Sequence, residues 1–359
     1  MGSPRGGRAL LLLLLSLLWF TTACVQAPET VVLAESGTID LRDVDLEASG
    51  PVTLNGEWNF WWRQLHIPSQ LPMRQADTLW VPESWSDQGK PLITRVGYGT
   101  YRLQVLLPEG TQRVGMRIGR VASARRVWLN GRLVSLVGTV SAEPSEMIAD
   151  TVHEIHEVWP EDASLEVVIQ ASNHQHRVSG IRHDVVLGTP AQIQNFHERI
   201  LLQDLLHFSI LMGMGLTLLL VWSTQRYRHH WFYVGLFCGA LAIRTLMAGN
   251  GDVGLLLFPA MSWELLVRIE YLANAVCLVT GFEMLCLKLK VDRTLWRYRL
   301  TRYMSYALLC FYLVSPVEIF LLTLSPLQAT MLIAALLILI ELIIAIFERP
   351  LATAGPILL

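Results

Sequence analysis

The chain has 359 residues, of which 52% are hydrophobic and only 16% are charged, and its mean hydropathy is positive. These values exclude an ordinary soluble domain and predict membrane segments. The formal net charge of −2, with no long basic run, argues against nucleic acid as a partner.

The N-terminus carries an export signal. Two arginines in the first eight residues precede a leucine-rich run at 9–20, and small residues follow up to Cys24. This pattern is typical of a secretory signal peptide, which we place at residues 1–23. The segment Thr21-Thr22-Ala23-Cys24 resembles a bacterial lipobox, so Cys24 is a candidate lipidation site. Ordinary cleavage and an uncleaved anchor are the alternatives.

After a short tail at 24–38, residues 39–190 have the pattern of an exported β domain. Thr100–Leu106 and Leu165–Gln170 alternate between apolar and polar residues as strands do. Asn130-Gly131 separates two such runs and predicts a hairpin, because both residues tolerate positive φ. The domain contains no cysteine after Cys24, so its stability must come from core packing. We predict a β-sandwich.

Four motifs of this domain resemble the jelly-roll sugar-binding domain of family 2 glycosidases. They are Leu54–Trp58, Val81–Trp85, Gly99–Arg102 and Val127–Gly131, in the same order and with similar spacing. The resemblance covers most of residues 54–173 and implies a galactose-binding-like jelly roll. Such domains recognise carbohydrates or other small ligands, so the resemblance leaves the ligand itself open.

The ligand-binding candidates are aromatic and basic. Trp62 and Trp85 could stack against a sugar ring, although large aromatic residues usually fill the interior of a sandwich. His174, His176 and Arg182 follow the last clear strand, where the loops of a jelly roll gather, and a solvated loop is the alternative. The histidines of His153-Glu154-Ile155-His156 have the wrong spacing for a helical zinc motif and fall in a predicted loop. We predict no metal and no cofactor.

The second half predicts an all-α transmembrane helical bundle. We place a connector at 191–199 and five full helices at 200–222, 231–248, 263–287, 304–323 and 327–347, followed by a partial sixth at 351–359. Lysine and arginine residues concentrate after the first and third helices, and the loops after the second and fourth contain none. The positive-inside rule therefore places the β domain outside the membrane.

Polar residues inside the predicted helices are the intramembrane candidates. We expect Arg244 to reach Glu270, and Arg268 to pair with Glu264 one turn away. Solvation of these residues at the outer interface is the alternative. Gly235 and Gly239 form a G-x-x-x-G pattern, which suggests a homodimer.

A second resemblance lies in the helices. Trp231–Phe237, Ala242–Leu246 and Gly249-Asn250 are similar to bacterial seven-transmembrane receptors with diverse intracellular signalling modules. That family combines a signal peptide, a jelly-roll exterior domain, seven helices and a cytoplasmic output such as a histidine kinase or a nucleotide cyclase. This chain ends within the sixth apolar segment, so we expect a fragment or a shortened relative.

Together these observations predict a receptor rather than an enzyme, located in the bacterial inner membrane. Its partners would be membrane lipid and a small extracytoplasmic ligand, with carbohydrates as the leading class. The alternative is a membrane-tethered protein that binds or processes carbohydrate. No barrel follows the jelly roll to carry the paired carboxylates of a glycosidase.

Overall fold

The computed structural model describes residues 32–72, 76–176, 178–226, 229–288, 294 and 296–321, with residues 329, 332, 333, 336 and 340. The signal peptide with Cys24, nearly all of the predicted helix at 327–347 and the segment 351–359 lie outside these residues. Two compact units are present. We call the first, which runs to Leu201 and includes Asn250–Asp252, the β unit. The second, the helical unit, comprises Leu202–Gly249 and the residues from Val253 onward.

Within its described residues, the β unit has thirteen strands, a short helix α1 at Leu46–Ser49, single 3-10 turns at Pro68–Gln70 and Trp85–Asp87, and the start of a long helix at Pro190. The strands are β1 Thr38–Asp40, β2 Val52–Thr53, β3 Gly56–Trp62, β4 Asp77–Val81, β5 Gly97–Leu106, β6 Val114–Ile118, β7 Val121–Ala122, β8 Ala124–Leu129, β9 Arg132–Val137, β10 Glu154–Val158, β11 Ser164–Asn173, β12 Gly180–Ile181 and β13 Val185–Gly188.

The strands form two principal sheets, as the β-sandwich prediction requires. The larger has the order β4-β3-β5-β11-β8-β9, and β1 adds to β5 in parallel. The smaller has the order β10-β6-β13-β2, and β7 pairs with β12 in a separate ribbon. Except for β1, neighbouring strands within these sheets are antiparallel.

Alternation along the strands builds the core. Trp58 and Phe60 on β3 point inward and are fully buried, and their neighbours Glu57 and Asn59 are partly exposed. Fully buried aliphatic residues of both sheets belong to the same cluster. The predicted hairpin at Asn130-Gly131 is confirmed, because it joins β8 to β9 with both residues at positive φ.

The remaining helices are α2 Pro190–Thr224, α3 His229–Ala248, α4 Val253–Leu257, α5 Trp263–Lys288, α6 Trp296–Val314 and α7 Val317–Phe320. Among the described residues, three helices are long and apolar enough to cross a membrane: α2, α3 and α5, the last taken up to Leu287. The chain is therefore a two-sheet β domain followed by a region of long apolar helices.

Two predicted segments differ in the structure. Residues 191–199 are helical and form the first turns of α2, whose start is fixed by Thr189. The Thr189 hydroxyl accepts a hydrogen bond from the backbone N–H of Gln192, and the Gln192 side chain accepts one from the backbone N–H of Thr189. The fourth predicted span is displaced, because α6 begins at Trp296 and ends before Pro316, which cannot continue a helix.

Candidate functional site

The β unit buries a group of charged and ionisable side chains that we call the Asp252 cluster: Arg117, Arg120, His153 and Asp252. Arg117 ends β6 with its neighbour Ile118, and Arg120 follows two residues later. His153 immediately precedes β10, the strand paired with β6. Strand pairing thus brings the three basic residues to one place.

Asp252 is the centre of the cluster. The Arg120 guanidinium donates to Asp252 Oδ1 from Nε at 2.9 Å and also from Nη2. The other oxygen, Oδ2, accepts from the His153 backbone N–H at 2.5 Å and lies 2.9 Å from His153 Nδ1. A carboxylate with four such contacts has most of its acceptor capacity filled, as a buried charge requires.

The backbone two residues before Asp252 is also fixed by a hydrogen bond from the cluster. Arg117 Nη2 donates to the Asn250 carbonyl at 2.8 Å, and the Arg117 guanidinium lies 5.9 Å from the centre of the Phe196 ring in α2. Asp252 itself adopts a left-handed backbone conformation with φ of +53°. Such a conformation is unfavourable for most residues and is tolerated better by aspartate and asparagine.

A second ion pair lies beside the cluster and joins β8 to β10. Arg125 on β8 is completely buried, and its Nη2 donates to Glu154 on β10 at 2.9 Å. Nη1 of Arg125 donates to the Gly119 carbonyl at 2.6 Å, and the Ser135 hydroxyl donates to Glu154. These contacts tie the larger sheet to the smaller one beside the cluster.

Burial decides the protonation of the cluster. It lowers the pKa of His153 to about 4, so at neutral pH the imidazole is neutral and its Nδ1–H donates to Asp252. Burial also lowers the pKa of His183, whose ring centre is 5.5 Å from that of His153, to about 3. Burial opposes ionisation of Asp252, but the hydrogen bond from His153 and the charge of Arg120 outweigh it. The pKa of this carboxyl is therefore held well below its usual range.

Of the predicted tryptophan candidates, Trp85 lies in the core and Trp62 is partly buried against it. Trp85 has no exposed surface, and its Nε1 donates to the Tyr101 hydroxyl at 2.5 Å. Trp62 packs edge-on against Trp85 with ring centres 5.1 Å apart. Both side chains pack against the core, and a ligand contact by Trp62 or Trp85 stays a prediction.

The three basic candidates lie around the loop that follows β11. His174 Nε2 is 3.1 Å from the Ser141 carbonyl, and His176 Nδ1 is 3.0 Å from the Val178 carbonyl. Arg182 is exposed. A ligand contact by His174, His176 or Arg182 stays a prediction.

The His153–His156 segment is not a loop, because Glu154–Val158 forms β10. That part of the expectation is wrong, since pairing with β6 extends the backbone here. Within the described residues, no group of three histidine, cysteine, aspartate or glutamate side chains is arranged to hold a metal ion.

In the helical unit, Arg268 contacts backbone rather than a carboxylate in its closest hydrogen bonds. Its Nη1 donates to the carbonyls of Tyr312 and Ser315, both at 2.9 Å, and its guanidinium lies 5.3 Å from the centre of the Phe320 ring. The end of a helix exposes carbonyls that attract a cation. Arg244 and Glu270 are both partly buried, and their proposed pairing stays a prediction.

The Asp252 cluster was not predicted from the sequence. The one available signal was an aspartate beside two glycines in a loop without lysine or arginine. Its partners Arg120 and His153 lie 132 and 99 residues earlier, and the His153–His156 segment gives no indication of a partner at Asp252. The pairing of β6 with β10 brings Arg120 and His153 together, and Asp252 reaches them from the segment between α3 and α4.

No family model matches the chain, and neither does any curated protein. Among solved structures, a β-glucuronidase from Faecalibacterium prausnitzii is similar at a TM-score of 0.29 and 19% identity, over 39% of this chain and 31% of that one. A Ruminococcus gnavus β-glucuronidase in complex with N1-substituted uronic isofagomine is similar at 0.31 and 16%, over 39% and 30%. This chain thus covers less than a third of either enzyme. It combines a β domain that is distantly similar to part of these β-glucuronidases with a region of long apolar helices.

Proposed function

We propose that the chain is the sensing and membrane part of a bacterial receptor. In this proposal the β unit binds a small extracytoplasmic ligand, with carbohydrates as the leading class, and the apolar helices cross the inner membrane. The helices pass the signal to a cytoplasmic output module, as in the seven-transmembrane receptors that the sequence resembles. The chain itself is not an enzyme in this scheme.

The observation that carries the proposal is the membership of Asn250–Asp252 in the β unit. These residues stand in the chain between α3 and α4, yet Asp252 is buried by Arg120 and His153. A conformational change in β6 or β10 therefore acts directly on the residues that join two helices. Coupling requires a ligand that prefers one of two arrangements of this contact.

The second support is the continuity of α2. Ile193 is fully buried in the β unit, and the same helix runs without interruption to Thr224. An uninterrupted helix transmits a displacement better than a flexible linker does.

The proposed coupling can be tested without knowing the ligand. Spin labels on Gln225→Cys and Thr294→Cys, in a variant with the native cysteines replaced by serine, report the separation of the loops after α2 and before α6. We expect Asp252→Asn to change the distance distribution of the full chain in lipid nanodiscs, because the cluster loses its anionic centre. Asp150→Asn, an exposed control in the β unit, should leave it unchanged. Identical distributions in all three proteins would contradict the coupling.

The orientation has its own test. In spheroplasts, a membrane-impermeant maleimide should label Glu143→Cys on the β unit and should label Gln225→Cys only after the membrane is permeabilised. Glu143 is exposed in the structure. The reverse pattern would place the β unit in the cytoplasm and exclude an extracytoplasmic sensor.

A further inference from the structure

The β unit has a pocket on the outer face of its larger sheet, away from the core. Asn59 and Trp61 of β3 alternate with the buried Trp58 and Phe60, so they point to the opposite face. Together with Arg102 of β5 they line a cavity of about 460 Å³. This volume lies in the range of about 300–1,000 Å³ that is usual for small-molecule sites. We call it the sheet pocket.

The segment that follows β3 builds a wall over the sheet. The backbone N–H of His66 donates to the Thr100 hydroxyl at 2.9 Å, and that hydroxyl donates to the Gln64 carbonyl at 2.7 Å. The Gln170 side chain donates to the His66 carbonyl at 3.0 Å. These bonds hold the segment across β5 and β11, and its continuation brings Pro68 and Leu71 to the pocket.

The pocket combines an apolar side with paired polar groups. Pro68, Leu71 and the ring of Trp61 supply apolar surface, and Arg102 donates to Glu166 of β11 at 2.6 Å. Because this ion pair is balanced and only partly buried, the pocket carries donors and acceptors without a net charge from these two residues. The Asn59 amide adds a further donor and acceptor.

Trp61 adds a polar atom that lacks a partner. Its ring is almost fully buried, and its Nε1 has no hydrogen-bond acceptor among the residues that the structure describes. A buried indole N–H normally finds an acceptor, and leaving it unpaired costs free energy. This atom is itself closed to solvent, so a ligand in the pocket reaches it only if the neighbouring side chains move.

From these features we propose that the sheet pocket binds a neutral saccharide. A pyranose ring presents apolar C–H faces to Trp61, Pro68 and Leu71, and its hydroxyl groups can both donate and accept at Asn59, Arg102 and Glu166. An anionic ligand is disfavoured because Glu166 already satisfies the arginine. This inference rests on the proposed function for its biological role, but the binding itself can be measured separately.

The test is isothermal titration calorimetry of the full chain in lipid nanodiscs with maltose, cellobiose, lactose and glucuronate. We expect saturable binding of at least one of the three neutral disaccharides. Asn59→Ala should weaken it about tenfold through the lost amide contacts, and Ala76→Leu should abolish it by filling the cavity that Ala76 lines. The matched controls are Thr78→Ala, opposite Asn59 on β4, and Trp80→Ala, an exposed tryptophan on β4 outside the pocket. Both should bind as the wild type does.

Three results would overturn the inference. Unchanged affinity in both Asn59→Ala and Ala76→Leu would place the saccharide elsewhere on the β unit. Binding of glucuronate alone would refute the neutral ligand class. The absence of binding by all four compounds would refute the pocket as a saccharide site. None of these results alters the spin-label distances expected for Asp252→Asn. The receptor proposal is therefore tested separately, by that distance measurement.

Discussion

The two units use apolar residues in opposite ways. In the β unit, large side chains such as Trp58, Tyr101 and Leu103 have no exposed surface. In α2, by contrast, only 6% of the most apolar stretch is buried inside the protein, and Leu216 and Leu220 are mostly exposed. These side chains have few neighbours among the residues that the structure describes, and lipid is the apolar environment that the proposed function assigns to them. The comparison shows that composition alone cannot distinguish a core from a lipid-facing surface.

The largest expected effect on stability comes from comparing a leucine-to-alanine substitution in each of the two units. Leu103→Ala removes a fully buried side chain of β5 and should destabilise the β unit by about 2–5 kcal/mol. Leu220→Ala in α2, whose leucine is 67% exposed, should change the stability by less than about 0.5 kcal/mol. Urea unfolding of the full chain in nanodiscs, followed by tryptophan fluorescence, measures both. Equal losses would show that α2 is packed in a protein interior.

Replacing an equally exposed leucine by arginine in each unit tests whether the two surfaces face different environments. Leu216 of α2 and Leu136 of β9 are each 60% exposed, so they differ in environment and not in exposure. Leu216→Arg should reduce membrane insertion by about 2.5–3.5 kcal/mol, since arginine is costly within a bilayer. Leu136→Arg should insert and fold normally, because its surroundings are water. The membrane-integrated fraction after expression is the measurement, and equal fractions would contradict the lipid-facing assignment of α2.

Acid should lower the free energy of unfolding of the β unit, because its buried histidines are neutral in the folded state. Folding lowers the pKa of His153 from 6.5 to about 4, so between these values the unfolded chain binds a proton that the folded chain excludes. Stability is therefore complete above pH 6.5 and falls as the pH drops to about 4, by up to about 1.4 kcal/mol per pH unit for this histidine. His183 acts in the same direction down to about pH 3.

The check is urea unfolding at several pH values. His153→Gln keeps a hydrogen-bond donor for Asp252 but cannot titrate, so its stability should fall less steeply between pH 6.5 and 4. Wild type and variant with the same slope would show that His153 is not buried in its neutral form.

The smallest effect concerns helix contact. A methyl group added at Gly215 of α2 would lie 2.9 Å from the Gly235 carbonyl oxygen and 3.1 Å from the backbone nitrogen of Gly239, both in α3. Gly215→Ala should therefore cost about 1 kcal/mol through overpacking. Gly213→Ala, where the added methyl has no neighbour within 4 Å, should be neutral or slightly stabilising. Thermal inactivation in detergent compares them, and equal melting temperatures would contradict the close helix contact.

This contact also revises the meaning of the G-x-x-x-G pattern. Gly235 and Gly239 face Gly215 within the same chain, so the small residues serve the α2–α3 contact. A homodimer through these residues stays a prediction without support from this packing. Small-residue patterns permit close helix approach, but they do not specify whether the partner helix belongs to the same molecule.

Local patterns predicted most of the architecture. The alternation in Thr100–Leu106 and the turn at Asn130-Gly131 identified β5 and the β8–β9 hairpin, because strand and turn preferences act over a few residues. The long apolar runs identified α2, α3 and α5 in the same way. The helix at 191–199 was missed because its capping residue Thr189 was not recognised.

The Asp252 cluster could not be predicted from local sequence patterns. Arg120 and His153 are neighbours because β6 and β10 pair, Asp252 joins them from a segment about a hundred or more residues later, and neither contact is encoded in short motifs. Trp61 was not among the predicted candidates, and its place in the sheet pocket depends on the pairing of β3 with β5, which brings Arg102 beside it. Strands, turns and apolar helices could therefore be predicted from local sequence patterns. Contacts between residues distant in the chain could not, because they depend on how the strands pair.

The most direct test of the account is a double-mutant cycle on Arg120 and Asp252 in the full chain, with the free energy of unfolding of the β unit as the measured quantity. Arg120→Gln, Asp252→Asn and the double variant isolate the coupling between the two side chains. The buried contact predicts that each single variant is strongly destabilised and that the double variant loses at least about 1 kcal/mol less than the sum of the two. Losses that add without coupling would show that Asp252 is not held by Arg120, and the receptor proposal would lose the contact that places Asn250–Asp252 in the β unit.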